Sequence, residues 1–493
     1  MSETIMIQPC VCLICQEDME LERQIQELQD KRRILRMRIN PNHDPFDFKF
    51  PPEIASLIFS LAMGKEDYEP DEESALCKLP TQFLLGSVNR KWRELARSTP
   101  QLWSTVSFTL VGEKMNAPPP LKFINDWLQL SGNLPLTLWI TGYSDDPHHW
   151  EICPPVVNAL NQHSERWHKL FFDLDKRYLP HFHGTASPTN LYNLEIINNN
   201  QHQYELPPTY FSMALRPSPA CLTLDTLLLS NINIVWNNVK CLTLRFTTSQ
   251  ECLEALKLAP LVESYTLSYL DSPIIDDEDE FWAPPPSSQP IFRQEHLRKL
   301  LISDTESDSL IGFIDMVEFP SLEELSYTLD DNVDITKTGL IPLLERSGSR
   351  LKWLMVLVAS ESSDGLIALL DSMPHLQILE CQLLSKALFT ILTIMMGLLK
   401  QLSSAPPILP EGIPGFLSEL QSLVFYAEQT ISIWDCIPRI FSWPHRKLLT
   451  LKLEIRVYVD IYQEDLDKIS ELIDEGFAIS IFESGQDYFE RNS

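Results

Sequence analysis

The residues able to do chemistry are few and scattered. Cys10, Cys12 and Cys15 form a Cys-x-Cys-x-x-Cys cluster near the amino end, three thiolates at a spacing that could hold zinc. A structural zinc takes four ligands, no second Cys-x-x-Cys pair follows, and only His43 or Cys77 stands ready to complete the set. The apolar neighbours Val11, Leu13 and Ile14 favour a lead-in to a helix instead, so no metal is expected. His148-His149 and His181-x-His183 lie in polar, loop-like sequence, where an imidazole more often faces solvent than serves as base or ligand. The acidic runs at 276–280 and Asp330-Asp331 offer paired carboxylates, yet a run of one charge is usually a solvated face. Gly-x-x-x-x-Gly-Lys-Ser/Thr, Gly-x-Gly-x-x-Gly, His-Glu-x-x-His and Gly-x-Ser-x-Gly are all absent, and 15 glycines are few for a backbone that cradles phosphate. Acid, base and nucleophile do not assemble. The expectation is a non-enzyme without cofactor.

Such a chain acts by binding, and its composition narrows the partner. With 39 Lys plus Arg against 68 Asp plus Glu, the formal charge of −29 opposes phosphate backbones and anionic lipid, so neither nucleic acid nor a membrane surface is expected as partner. An apolar share of 44% over 493 residues suffices for a large core and more than one domain. Ten cysteines without a framework, and an amino end lacking the basic flank of a secretory signal, point to a reducing compartment, cytoplasmic or nuclear. The uncharged run 387–399 is shorter than the roughly 20 residues a bilayer demands and reads as a buried helix.

The elements that would position a binding surface begin at Phe50. Phe50-Pro51-Pro52-Glu53 fixes a helix start, since proline in the first turn has no needed N–H to lose. Ile54, Leu57, Ile58 and Leu61 follow as one apolar stripe, and Leu84, Leu85, Val88, Trp92 and Leu95 make a second. Two short amphipathic helices and a trailing Leu102-Trp103 bury little alone, so they call for a partner.

Pro51-Pro52-Glu53-Ile54, Ile58-Phe59, Val88-Asn89-Arg90-Lys91-Trp92-Arg93, Leu95-Ala96 and Ser98-Thr99-Pro100-Gln101-Leu102-Trp103 together resemble the F-box, in the form common in mushroom-forming fungi. The resemblance covers roughly a tenth of the chain, with its elements in order. It departs from the family in the long acidic stretch 64–80, expected to loop out between the helices. It implies docking onto the Skp-type adaptor of a cullin–RING ubiquitin ligase, with Pro51, Pro52, Ile54, Ile58, Trp92 and Trp103 in or beside the adaptor groove or in the box's own core.

Ahead of this box (46–108), Ile14, Leu21, Ile25, Leu28, Leu35 and Ile39 recur in steps that alternate three and four, with Asp18 and Arg32 filling the skipped positions. That is a heptad helix over 17–40, glutamate-rich early and arginine-rich late, ending at Asn40-Pro41. It either self-associates as a coiled coil or packs on its own protein; residues 1–16 read as frayed or disordered. A heptad helix in this place also fits the family resembled.

Beyond Pro118-Pro119-Pro120, residues 122–140 read as a helix, a Ser-Gly turn and a short strand. From there a Leu-x-x-Leu-x-apolar unit returns: Trp167/Leu170/Phe172, Leu191/Leu194/Ile196, Leu224/Leu227/Leu229, Val239/Leu242/Leu244, Leu297/Leu300/Ile302, Leu322/Leu325/Tyr327, Leu351/Leu354/Val356, Leu376/Leu379/Cys381, Leu420/Leu423/Phe425 and Leu448/Leu451/Leu453. The stretch 261–264 is a degenerate member. Helix-like segments at 156–163, 251–258, 340–346 and 366–373 intervene, and the cleanest steps are 25 residues. That spacing predicts a divergent leucine-rich-repeat α/β solenoid over 121–485, one strand and one helix per unit. Segments 271–290, holding Phe281-Trp282, and 405–415 read as loops. The fold class expected is α+α/β: a heptad helix, a small all-helical F-box, then an irregular solenoid. The function expected is the substrate receptor of a Skp–cullin–F-box ligase, gripping an unknown target protein through the repeats. A coiled-coil and repeat scaffold, whose F-box-like helices bind something else, is the alternative.

Overall fold

The computed structural model describes residues 13–43, 50–63, 80–110, 118–142, 151–185, 191–198, 210–270, 290–305, 307–329, 339–348, 350–358, 363–383, 388–404, 415–427, 434–456 and 461–489. Cys10, Cys12, Cys77, the acidic insert 64–79, His148-His149, Phe281-Trp282, Asp330-Asp331 and 405–414 lie outside them. The chain divides into two compact units, residues 1–109 with 119–139, and 110–118 with 140–493.

The first unit is helical. α1 spans Leu13–His43, 31 residues. It runs through Pro41, so Asn40-Pro41 does not end it. Proline at this place lacks the N–H that would bond the carbonyl four residues back, so the last turn is one hydrogen bond short. α2 (Pro52–Ala62) begins at its proline as expected. The second stripe does not form one helix but two, α3 (Thr81–Val88) and α4 (Arg90–Arg97), broken at Asn89. Asn89 takes an extended backbone there, and its side chain accepts a hydrogen bond from the Trp92 N–H, 2.9 Å, which caps α4. A 3-10 turn at Pro100–Trp103, β1 (Thr105–Thr109), α5 (Leu121–Leu130) and the first part of β2 (Leu136–Gly142), whose residues from 140 on count with the second unit, complete the first.

The second unit combines helices and strands around a large, mostly parallel sheet. In order come α6 (Pro154–Asn161), β3 (Trp167–Leu174), β4 (Asn193–Ile197), β5 (Phe211–Ser212), β6 (Cys221–Asp225), β7 (Ile232–Asn233), β8 (Cys241–Arg245), α7 (Ser249–Leu258) and β9 (Ser264–Ser268). They continue as β10 (Phe292–Arg293), β11 (Lys299–Thr305), α8 (Ser307–Ile314), β12 (Val317–Glu318), β13 (Glu324–Leu329), α9 (Leu340–Ser347), β14 (Trp353–Val358), α10 (Ser363–Asp371) and β15 (Ile378–Leu383). Last are α11 (Leu388–Ser404), β16 (Ser422–Ala427), α12 (Cys436–Phe441), β17 (Thr450–Ile455), α13 (Gln463–Asp474), β18 (Ile479–Glu483) and β19 (Gln486–Asp487). Among the described residues β3 to β8 follow one another with 3-10 turns and no α-helix between them, so one helix per unit does not hold there. Within the main sheet each strand lies beside the next main-sheet strand in sequence, while β5 with β7 and β10 with β12 form parallel two-stranded ribbons apart from it. Only the terminal hairpin β18–β19 is antiparallel among the pairings described.

Register explains the leucines. Leu170, Leu194, Leu222, Leu242, Tyr265, Leu300, Leu325, Leu354, Leu379, Leu423, Leu451 and Ile479 are successive partners across the sheet. Two residues on, a second column runs from Phe172 through Leu244, Val356 and Cys381 to Ile481, and both columns are buried. In a parallel ladder all side chains of one register position share a face, so a leucine at every second residue builds a continuous core. One unit was misregistered from sequence: β6 places Leu222 and Leu224 in the columns, while Leu227 and Leu229 lie beyond the strand. The degenerate unit is regular, Tyr265 and Leu267 holding the two positions, with the Tyr265 hydroxyl donating to the Cys252 carbonyl of α7 at 3.0 Å. Leu448 is exposed and Leu449 buried in its stead.

Four successive strands share another device. Thr226, Phe246, Tyr269 and Asp304 all have left-handed backbone, each two residues past its second core position. The Thr226, Phe246 and Tyr269 N–H groups still reach the next strand, at 3.1, 3.1 and 3.3 Å, so the ladder compensates a conformation that costs about 1–2 kcal/mol for an L residue. Of the segment 387–399, residues 388–399 fall in α11, where Met395, Leu398, Leu399 and Leu402 are buried. Among the described residues no helix is long and apolar enough to cross a membrane.

Candidate partner-docking face

α2 carries two kinds of apolar side chain. Ala55 and Phe59, with Met63 just past the helix end, turn inward and are buried, whereas Ile54, Leu57 and Leu61 are 43%, 55% and 75% exposed. Leu84 and Val88 on α3 are likewise exposed. Scattered surface leucines are ordinary, but a short helix that sets three apolar residues in water, one turn after another, has a face without cover.

Behind this face the packing is firm. The Phe59 ring lies 5.0 Å from that of Trp92, and Ser56 Oγ meets Thr99 Oγ1 at 2.9 Å, which ties α2 to the end of α4. Thr99 Oγ1 in turn donates to the Leu95 carbonyl at 2.8 Å. Arg93 Nε donates to the Gly86 carbonyl at 2.8 Å and locks α3 to α4 across the Asn89 break. Trp103 Nε1 donates to the Ala96 carbonyl at 2.7 Å, and its ring meets those of Phe83 and Trp127 edge-on at 5.2 and 6.3 Å. These aromatics, with Phe123, Arg93, Arg97 and Asp126, line a cleft of about 350 Å³.

The residues singled out from sequence therefore separate. Pro51 and Pro52 are exposed at the start of α2, where the Pro51 carbonyl accepts from Ala55 N at 3.0 Å. Ile54 is exposed, and Ile58 and Trp92 are half-buried. Trp103, only 4% exposed, belongs to the unit's own core and offers no surface to a partner. Leu57 and Leu61, absent from the expected site set, are the most accessible apolar residues of α2; their place in the stripe was the available signal.

The second unit has a polar-aromatic surface of its own. Trp353 stands on the sheet face opposite the leucine columns, with Lys299 Nζ 5.6 Å from the ring and Nε1 donating to Glu380 at 3.0 Å. Phe246 and Tyr269 stack almost parallel, centroids 4.4 Å apart, at the ends of β8 and β9. Both arrangements preorganise flat apolar area, at Trp353 beside charge, which suits protein recognition.

Chemistry is sparse among the described residues. No group of three or more His, Cys, Asp or Glu is placed to hold a metal ion. His181 and His183 are exposed, on a turn where Nδ1 of His183 lies 3.0 Å from the Gly184 carbonyl. Cys381 is buried, and burial raises its thiol far above the usual range. Cys221 and Cys241 face each other across β6 and β8; burial and the neighbouring Cys221 push the Cys241 thiol up to about 11. Neither the Cys381 nor the Cys241 thiol is activated as a nucleophile would be. No family model and no curated protein matches the chain.

Proposed function

We propose that this chain is the substrate-recognition subunit of a Skp–cullin–F-box ubiquitin ligase. The observation that carries the proposal is the uncovered apolar face of α2, with Ile54, Leu57 and Leu61 in solvent on a helix whose opposite side is locked by Phe59. It occurs within the run of residues that resembles an F-box. In this reading α2 and α3 are completed by the Skp-type adaptor, which links the chain to a cullin–RING ligase. The second unit is read as a divergent leucine-rich-repeat solenoid, supported by two buried columns in unbroken register, and its outward sheet face, with Trp353, together with the Phe246/Tyr269 stack at the strand ends, receives the target protein. The chain then works by proximity: it holds the target beside a charged ubiquitin carrier, and other subunits do the chemistry. The setting is the cytoplasm or the nucleus.

The test is co-elution of the full chain with a Skp-type adaptor, alone and with its cullin, in size-exclusion chromatography. A stoichiometric ternary complex is the expected result. An intact, folded chain that never shifts the adaptor overturns the proposal.

A further inference from the structure

α1 leaves a second apolar stripe in water. Every described side chain from Gln16 to Arg36 is exposed, and Leu21, Ile25, Leu28 and Leu35 are 57%, 54%, 64% and 55% accessible. The charges along the helix state what can cover it. With Asp18, Ile25 and Arg32 at heptad position a and Leu21, Leu28 and Leu35 at d, position e holds Glu22, Gln29 and Arg36, and position g holds Glu17, Gln24 and Lys31.

A parallel pair of these helices is opposed at every charged position. Its seam would set Asp18 on the partner's Asp18 and Arg32 on the partner's Arg32. Its flanks, where g meets the following e, would set Glu17 on the partner's Glu22 and Lys31 on the partner's Arg36. An antiparallel pair reverses each of these. There a meets d, so Ile25 packs on the partner's Leu28, Asp18 on the partner's Leu35 and Arg32 on the partner's Leu21. Asp18 then lies one layer from the partner's Arg32. On the flanks g meets g and e meets e, which joins Glu17 to the partner's Lys31 and Glu22 to the partner's Arg36, with Gln24 and Gln29 facing their own copies across the two-fold axis. Arg23, the one base of the acidic half, points to the outer side and is already neutralised by Glu20 at 2.6 Å and by Glu27. Lys31, Arg32, Arg33 and Arg36 take part in no ion pair among the described residues.

We propose that α1 pairs antiparallel with α1 of a second copy of this chain, in the register that sets Ile25 against the partner's Leu28. A two-fold contact of this kind is self-complementary, the same patch on both copies, which the acidic-then-basic order of the helix provides. The pairing stands apart from the ligase reading, and its test involves no adaptor.

Sedimentation velocity of the full chain over a concentration series should show a monomer–dimer equilibrium that salt weakens. Glu17→Lys/Glu22→Lys and Lys31→Glu/Arg36→Glu should each raise the dimer dissociation constant by about tenfold or more, because each set turns four attractive flank contacts repulsive. Both sets combined in one chain should restore the dimer. All four positions are exposed, so the rest of the fold is untouched. A chain that stays monomeric throughout overturns the proposal. So does a dimer indifferent to the single sets, as a parallel pair would be, or one that the combined chain fails to restore.

Discussion

Replacing Leu57 and Leu61 together by alanine should separate docking from folding. These residues are 55% and 75% exposed, so about 1.3 leucine side chains' worth of area remains to be covered by a partner. Full burial of a leucine is worth about 1.5–3 kcal/mol; since alanine keeps its Cβ, the double variant should forfeit about 1.5–3 kcal/mol of adaptor binding. That corresponds to a roughly 10- to 150-fold weaker Kd, readable by isothermal titration with purified Skp-type adaptor. The thermal midpoint should barely move, because truncation on an exposed helix face stays within about 0.5 kcal/mol and alanine is the best helix former. Phe59→Ala supplies the contrast. Its ring is 1% exposed, and the cavity left behind costs about 3–5 kcal/mol of stability. If the double variant stays folded and binds the adaptor within about threefold of the native chain, α2 is not the docking helix.

Trp103→Ala should behave as a core change: it deletes the hydrogen bond to Ala96 and the edge-on contacts with Phe83 and Trp127, lowers stability by about 3–5 kcal/mol in denaturant unfolding, and shows no adaptor defect in whatever fraction remains folded. His445 and His163 are held below the usual imidazole range, first by burial and then by the nearby Arg446 and Arg166 respectively. Since the unfolded chain takes up these protons near pH 6.5 and the folded chain only at lower pH, the two histidines' contribution to the melting temperature should be constant above 6.5 and fall on acidification below it; His445→Leu should lessen that fall. Alkylation by iodoacetamide at Cys241 should keep accelerating up to about pH 11, while Cys381 should react only when the chain unfolds, as peptide mapping would show.

Much of the strand framework could be read from the leucines, because in a parallel ladder one periodic position is one buried column. The failures are equally physical. Leu227 and Leu229 imitate the repeat while lying beyond β6, since leucine reports burial and not strand geometry. Tyr265 hid a regular rung because an aromatic whose hydroxyl finds the Cys252 carbonyl can take a leucine's place. The break at Asn89 was missed because the apolar spacing of Leu84, Leu85, Val88 and Trp92 continues straight through it; only the capping preference of asparagine marks the join. In the amino-terminal helices the apolar positions were visible, but their division into inward Phe59 and outward Leu57 depends on where neighbouring helices pack, which spacing alone does not fix. Spacing leaves Trp103 open between a partner's groove and the box's own core for the same reason.

The neighbour-by-neighbour wiring of the second unit bears on how the molecule assembles and tolerates change. Adjacent rungs are joined by as few as 20 residues, from Leu222 to Leu242, and as many as 44, from Leu379 to Leu423, without disturbing the alignment. Closing a loop of twice the length adds only about 0.6 kcal/mol, so insertions of very different size are absorbed at the seams. No rung has to wait for a distant stretch of chain, and growth can spread outward from any early pair as a crystal grows from a seed. Such a scaffold can exchange the segments between its rungs one at a time while the spine beneath them is left alone.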